Sequence, residues 1–167
     1  NLPLVMVIYG PSVLIMGLAV LLHSRRHSRL RLGRDLRWLA AFGILHSLHE
    51  WGDVFIPFQA AYLSRPYIEL LLTLQIVLLA SSFACLMIFG AVTVAPRWPR
   101  ALKVVLGIAV IWGLFFWLSL YSMPSFEDWY RLSSIWARYL LGLPGSLLAA
   151  YGLRYQAETF IQPLGDT

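Results

Sequence analysis

Apolar residues occur in five long runs along the chain, and short polar segments separate them. A helix needs about 20 apolar residues to cross the hydrocarbon core of a bilayer. Each run approaches or exceeds that length, and most of the charged residues fall between the runs. The pattern therefore predicts five transmembrane helices, over residues 2–22, 38–58, 67–94, 102–121 and 129–153.

Two of these runs contain a proline beside a glycine. Pro11 follows Gly10 in the first run, and Pro144 precedes Gly145 in the fifth. Proline lacks the backbone donor and its ring crowds the preceding turn, so both helices are predicted to kink there. The first run has no basic segment before it and is too long for a signal peptide, so it counts as a span.

The composition agrees with a membrane domain. Hydrophobic residues make up 59% of the chain and charged residues 13%, against about 25% charged in ordinary soluble domains. The single cysteine, Cys85, excludes an intrachain disulfide or a cysteine-rich zinc site. We expect an all-α integral membrane bundle of five helices, with the lipid bilayer as its partner. Residues 1–153 would form this domain, and residues 154–167 would begin a cytoplasmic linker to an output domain.

Basic residues in the loops predict the orientation. Positively charged loops stay on the cytoplasmic side of a membrane. The opposite side carries few basic residues, and the acidic pair Glu127 and Asp128 lies there. The N-terminus is therefore predicted outside and the C-terminus in the cytoplasm. Basic residues that lie against the membrane also argue against nucleic-acid binding. The cytoplasmic loops carry Arg25, Arg26, Arg29, Arg31, Arg34, Arg37, Arg97, Arg100 and Lys103.

Four ionisable residues interrupt the second run. His46, His49, Glu50 and Asp53 stand at positions i, i+3, i+4 and i+7, which places them on one face of a helix. Ionisable groups inside a membrane are costly and normally face a bundle interior or a water-filled cavity. We expect this polar face to point inward.

Helical rise places residues of other runs at the same depth. Glu50 is eight residues from the outer end of its run, which is about 12 Å at 1.5 Å per residue. Gln75 and Arg138 are at similar distances from the outer ends of theirs. A guanidinium at that depth needs an anion, so Arg138 is predicted to pair with Glu50, with Asp53 as second choice.

This polar layer has two interpretations, which are compatible. It is a buried ion pair that fixes helix register, or a ligand pocket in the outer half of the bundle. The predicted ligand-binding residues are His46, His49, Glu50, Asp53, Gln75 and Arg138.

Within this layer, His46, His49 and Glu50 form a candidate metal site, because histidine nitrogens and a carboxylate suit zinc and similar ions. Their order differs from the H-E-x-x-H string of zinc proteases. Haem is the other cofactor considered, with one histidine as ligand. The remaining histidines, His23 and His27, lie in the basic loop. No nucleophile or phosphate-loop motif is present, so no catalytic residue is predicted in this region.

Two segments resemble the N-terminal membrane regions of bacterial sensor histidine kinases and related signalling proteins. They are LAAFGILHSLHEWGDVFIP and WARYLLGLPGSLLAAYGLRYQAE. The resemblance implies a sensory input domain in the bacterial inner membrane, followed by cytoplasmic signalling modules of the histidine-kinase type. The matching residues are His46, His49, Glu50, Trp51, Arg138, Tyr139, Leu141, Pro144 and Gly145.

Within that interpretation we expect a homodimer that binds a small ligand or a metal ion. Two alternatives remain at this stage. One is a cytochrome-like module that binds haem for redox sensing or electron transfer. The other is a structural subunit of a larger membrane complex, in which the polar layer only fixes helix packing.

Overall fold

The computed structural model describes the backbone of residues 2–26 and 31–161 and the side chains of residues 10–24 and 33–158. Every regular element in this part of the chain is a helix, which confirms the predicted all-α class. The helices are α1 (Leu2–Arg26), α2 (Arg31–Gln59), α3 (Arg65–Val94), α4 (Ala101–Ser122), α5 (Phe126–Ala137) and α6 (Leu143–Ile161). A π-helical turn, Arg138–Gly142, joins α5 to α6.

Helix α3 is the centre of the bundle. It contacts α2, α4, α5 and α6, whereas α1 contacts α2 alone among the described helices. The largest fully buried side chains of α3 include Ile76, Leu79, Met87 and Phe89. Because α3 is apolar on nearly every side, it can pack against four neighbours.

Small residues allow two pairs of helices to approach closely. A Cβ added to Gly43 on α2 would lie 2.9 Å from the Cα of Gly17 on α1. A Cβ added to Gly90 on α3 would lie 2.7 Å from the backbone nitrogen of Ala149 on α6. Close backbone approach at small residues is typical of helix packing in membranes.

The predicted kinks take a different form. Helix α1 continues through Pro11. In the fifth run the irregularity precedes the proline, as the π-helical turn, where the N–H of Leu143 donates to the carbonyl of Arg138 five residues earlier. Pro144 has no N–H for the carbonyl of Leu140, and its ring crowds that group. The wider turn relieves this crowding.

Among the described residues, two helices are long and apolar enough to cross a membrane: α3 and α4. Within the described side chains of α1, Gly10–Ser24 forms a further apolar segment, and the ionisable residues of α2 lower its hydropathy. The five predicted spans thus correspond to α1, α2, α3, α4 and the continuous α5–α6 helix, and their membrane location stays a prediction.

Candidate ligand site between α2, α3 and α5

The polar residues of α2 turn towards α3. His49 is buried, with 1% of its surface exposed, and His46, Glu50 and Asp53 are partly buried. Leu48 on the other side of the helix is exposed. The ionisable residues of α2 thus lie against the central helix, while the side that carries Leu48 is exposed.

The His49 ring is held by α3 on one side only. Its Nδ1 lies 3.1 Å from the carbonyl oxygen of Gln75. A carbonyl can only accept, so Nδ1 carries the proton and donates. The other ring nitrogen, Nε2, is buried without a hydrogen-bond partner, and it lies 3.9 Å from Asp53 Oδ2. This nitrogen therefore presents a lone pair towards the two carboxylates.

Gln75 joins three helices through one buried amide. Its Nε2 donates to Asp53 Oδ1 and to the carbonyl oxygen of His49, the latter at 3.3 Å. Its Oε1 accepts from the hydroxyl of Tyr130 on α5 at 3.2 Å. Gln75 is 2% exposed, so its hydrogen bonds are made to protein groups.

His46 lies one turn before Glu50, in a more aromatic environment. Its Nδ1 lies 3.2 Å from Ser82 Oγ, and Ser82 donates its own proton to the carbonyl of Leu79. The ring stacks against Phe42 at 5.2 Å between centroids. Its Nε2 lies 3.5 Å from Glu50 Oε1 on the same helix.

The predicted ion pair between Glu50 and Arg138 is wrong. Among the described residues, no ion pair joins these two side chains, and Arg138 donates instead to Ser134 Oγ one turn earlier. The prediction compared only the depths of the two residues along their helices, which leaves the rotation of each helix about its axis undetermined. In the structure Arg138 is exposed. It lines a cleft of about 370 Å³ between α2 and α5, together with Asp53 and Tyr130.

The possible metal ligands also differ from the predicted set. Ligand atoms of His49, Glu50 and Asp53 all lie within 4.8 Å of one another. The predicted set had His46 in place of Asp53. His46 does not belong to this group, although its Nε2 lies 3.5 Å from Glu50 Oε1.

Five of the six predicted ligand-binding residues lie together, and Arg138 stands at the edge of the adjoining cleft. Sequence reasoning missed Tyr130 and Ser82, which hydrogen bond to this group. Tyr130 is two turns before Arg138 on the same run, so a search for polar side chains along the inner face of α5 could have found it.

Comparisons of the sequence with models of protein families, with curated proteins and with solved structures find no match. The arrangement of the site therefore supplies the grounds for a function. The resemblance to sensor kinases stays a prediction, and the chemistry of the buried residues decides which ligand is considered.

Proposed function

We propose that this chain is the membrane-embedded input domain of a bacterial signalling protein of the histidine-kinase type. Its polar site between α2, α3 and α5 would bind a small ligand in the outer half of the bundle. One observation carries the proposal: Tyr130, which bonds to Gln75 in the site, lies on a helix that continues into α6 without a loop.

The outer surface of α4 supports the membrane location. Only 11% of its apolar segment is buried, against 56% for α3. Ile111, near the middle of the helix, is 62% exposed, and Val110, Leu114 and Leu118 are exposed beside it. Soluble proteins rarely expose apolar patches larger than a few hundred Å². Lipid chains could cover this surface without burying any polar group, because the residues named here are all apolar.

The continuous helix supports a role in signalling. A ligand that changes the contact between Gln75 and Tyr130 acts directly on α5. The π-helical turn then connects α5 to α6, which packs on α3. If these helices adopt two arrangements, a ligand that binds one of them more tightly increases the population of that arrangement, and with it the corresponding position of α6.

Thiol labelling tests the membrane topology. In a Cys85→Ser background, cysteines at Ser64 and Ser125 should react from outside intact cells with a membrane-impermeant reagent. A cysteine at Pro99 should react only after lysis. All three positions are exposed turns or loop residues, whereas Ser28 in the basic loop lies outside the described residues. Labelling of Pro99→Cys alone in intact cells would reverse the orientation, and recovery of the chain in the soluble fraction would end the membrane proposal.

A spin label on α6 tests the coupling. Tyr151 is half exposed and offers a labelling site. Gln75→Leu and Tyr130→Phe should each change the label's distance to a second label at Ser64. Glu69→Gln, which removes an ion pair with Arg65 near the start of α3, serves as the control and should leave the distance unchanged. Equal distances in all four proteins would mean that the site does not act on α6.

A further inference from the structure

We propose that His49, Glu50 and Asp53 bind one divalent transition-metal cation of the Zn²⁺ class. The inference rests on the proposed function, because the metal would be the ligand of that same site. It goes further by naming the chemical class of the ligand and the three residues that hold it.

The unpartnered nitrogen of His49 is the first observation. Since Nδ1 donates to the Gln75 carbonyl, the neutral ring has its lone pair on Nε2. That atom is buried and makes no hydrogen bond in the structure. A backbone carbonyl that fixes the tautomer of a histidine is the usual support of a metal-binding ring. A buried lone pair without a donor costs free energy, which a cation would recover.

The two carboxylates lie where further ligands are needed. Gln75 holds Asp53 through Oδ1, which leaves Oδ2 directed at His49 Nε2 at 3.9 Å. The three ligand atoms fall within 4.8 Å of one another. Ligands of a tetrahedral zinc ion are about 3.4 Å apart, given metal–ligand distances of about 2.0–2.2 Å. Small side-chain rotations of Glu50 and Asp53 would close the site.

The ligand types select the class of cation. Ca²⁺ and Mg²⁺ prefer oxygen ligands alone, whereas one imidazole with carboxylates suits zinc and neighbouring transition metals. Two carboxylates would balance the charge of a divalent ion. Three protein ligands leave one coordination position open, and the cleft that Asp53 lines gives access to it.

Arg138 provides a test of sign. Its guanidinium lines the same cleft as Asp53, and a positive charge there opposes a bound cation. If the site binds a cation, Arg138→Met should strengthen binding severalfold. If the site instead binds an anion, the same substitution should weaken binding.

Zinc affinity can be measured by competition with a chromophoric chelator, on the whole chain in detergent or nanodiscs at neutral pH. His49→Asn and Asp53→Asn should each weaken Zn²⁺ binding by about tenfold or more, because even the loss of a group that only supports a ligand costs about 10–100-fold. His46→Asn should have a smaller effect than either. Glu69→Gln, which removes a carboxylate outside the site, should leave the affinity unchanged. Gel filtration of each variant shows whether it is folded.

The unmodified protein supplies a second readout that needs no substitution. Co²⁺ bound by one nitrogen and carboxylates in four-coordinate geometry should give visible absorption bands, and Zn²⁺ should remove them. No bands, together with Zn²⁺ binding as weak as in the double variant His49→Asn/Asp53→Asn, would overturn the metal site. A loss with His46→Asn but not with Asp53→Asn would also overturn this ligand set.

The two proposals fail separately. If thiol labelling gives the expected pattern and the metal tests are negative, the metal site falls and the membrane input domain stands. If the protein binds Zn²⁺ as expected but Gln75→Leu leaves α6 unchanged, the metal site stands and the signalling role falls.

Discussion

At the scale of single residues, Gln75 matters most. One buried amide fixes the side chain of Asp53, meets the hydroxyl of Tyr130 and donates to the backbone of His49. A buried polar group that loses its partner costs about 1–3 kcal/mol. The positions of two of the three proposed ligands, His49 and Asp53, therefore depend on a neutral side chain of α3.

Gln75→Leu should lower the free energy of unfolding by about 1–3 kcal/mol, because it leaves Asp53 and Tyr130 without their partner. Tyr130→Phe should cost less, about 1 kcal/mol, since it removes one hydrogen bond. Denaturant unfolding in detergent, followed by tryptophan fluorescence, measures both. Thr73→Val is the control, because Thr73 bonds only within α3, to the carbonyl of Glu69. If Thr73→Val lowered the free energy of unfolding as much as Gln75→Leu does, the hydrogen bonds of Gln75 would contribute no more to stability than an ordinary bond within a helix.

Glu50→Gln and Arg138→Met should have additive effects on stability, to within about 0.5 kcal/mol. The reason is that Glu50 lies beside His46, while Arg138 bonds to Ser134. A double-mutant cycle with the same unfolding assay measures the coupling. A coupling of several kcal/mol would restore the ion pair that depth matching predicts and would contradict this structure.

The sequence predicted part of this site for definite reasons. Spacing along α2 placed four ionisable residues on one face, and helical rise brought Gln75 to the depth of His49. Neither rule gives the rotation of one helix against another. Arg138 was therefore predicted to pair with Glu50, whereas in the structure it lies in the cleft beside Asp53. Tyr130 was missed for the same reason.

At the scale of helices, contact between α3 and α6 depends on glycine. A Cβ at Gly90 would meet the backbone of Leu148 and Ala149 at 2.7 Å. Backbone atoms cannot move aside as a flexible side chain can, so any side chain at this position would push the two helices apart.

Gly90→Ala should destabilise the bundle by about 1–3 kcal/mol through overpacking. Gly107→Ala on α4 is the matched control, since nothing lies within 4 Å of a Cβ added there. That substitution should be neutral or stabilise by up to about 1 kcal/mol, as expected for replacing glycine inside a helix. Thermal unfolding of the two variants, compared with the parent, distinguishes these effects. Equal losses would show that α3 and α6 are not in close contact.

The π-helical turn could not be predicted from apolar runs, although its reason is visible in the burial pattern. Buried residues recur every four positions along this helix. In a regular α-helix, each step of four residues overshoots a full turn by about 40°. Five such steps would carry the buried face through about 200°. The wider turn removes roughly 100° of that drift. The buried residues in this series are Trp129, Ser133, Ala137, Leu141, Gly145 and Ala149, and Ser134, Gly142 and Gly152 beside them are buried as well.

At the scale of the whole molecule, α4 separates two kinds of surface. It covers α3 and α5 on one side and leaves a broad apolar surface on the other. The interior of the bundle is thus apolar around α3 and polar between α2 and α5, and the outer surface of α4 is apolar. That order agrees with a lipid-exposed exterior and a polar site inside the bundle, which the cleft beside Asp53 reaches.

Ile111→Arg should reduce membrane insertion strongly, because a charge near the bilayer centre costs about 2.5–3.5 kcal/mol on insertion scales. Leu102→Arg, at the basic end of the same helix, should have little effect, since arginine there can reach the interface. Both residues are exposed in the bundle, so packing is not disturbed. The fraction of chain that resists carbonate extraction measures insertion. Equal insertion of both variants would remove the case for a lipid-facing α4.

The π-helical turn also has a consequence for how the gene can change. A deletion of one codon within residues 138–142 would turn this stretch into regular α-helix and rotate α6 by about 100° relative to α5. Tyr130 could keep its hydrogen bond to Gln75, or Gly145 could keep its packing against α3, but the two contacts could not be kept together. In an alignment of descendants of this gene, a one-residue gap at this point would mark lineages in which the two ends of the helix became independent.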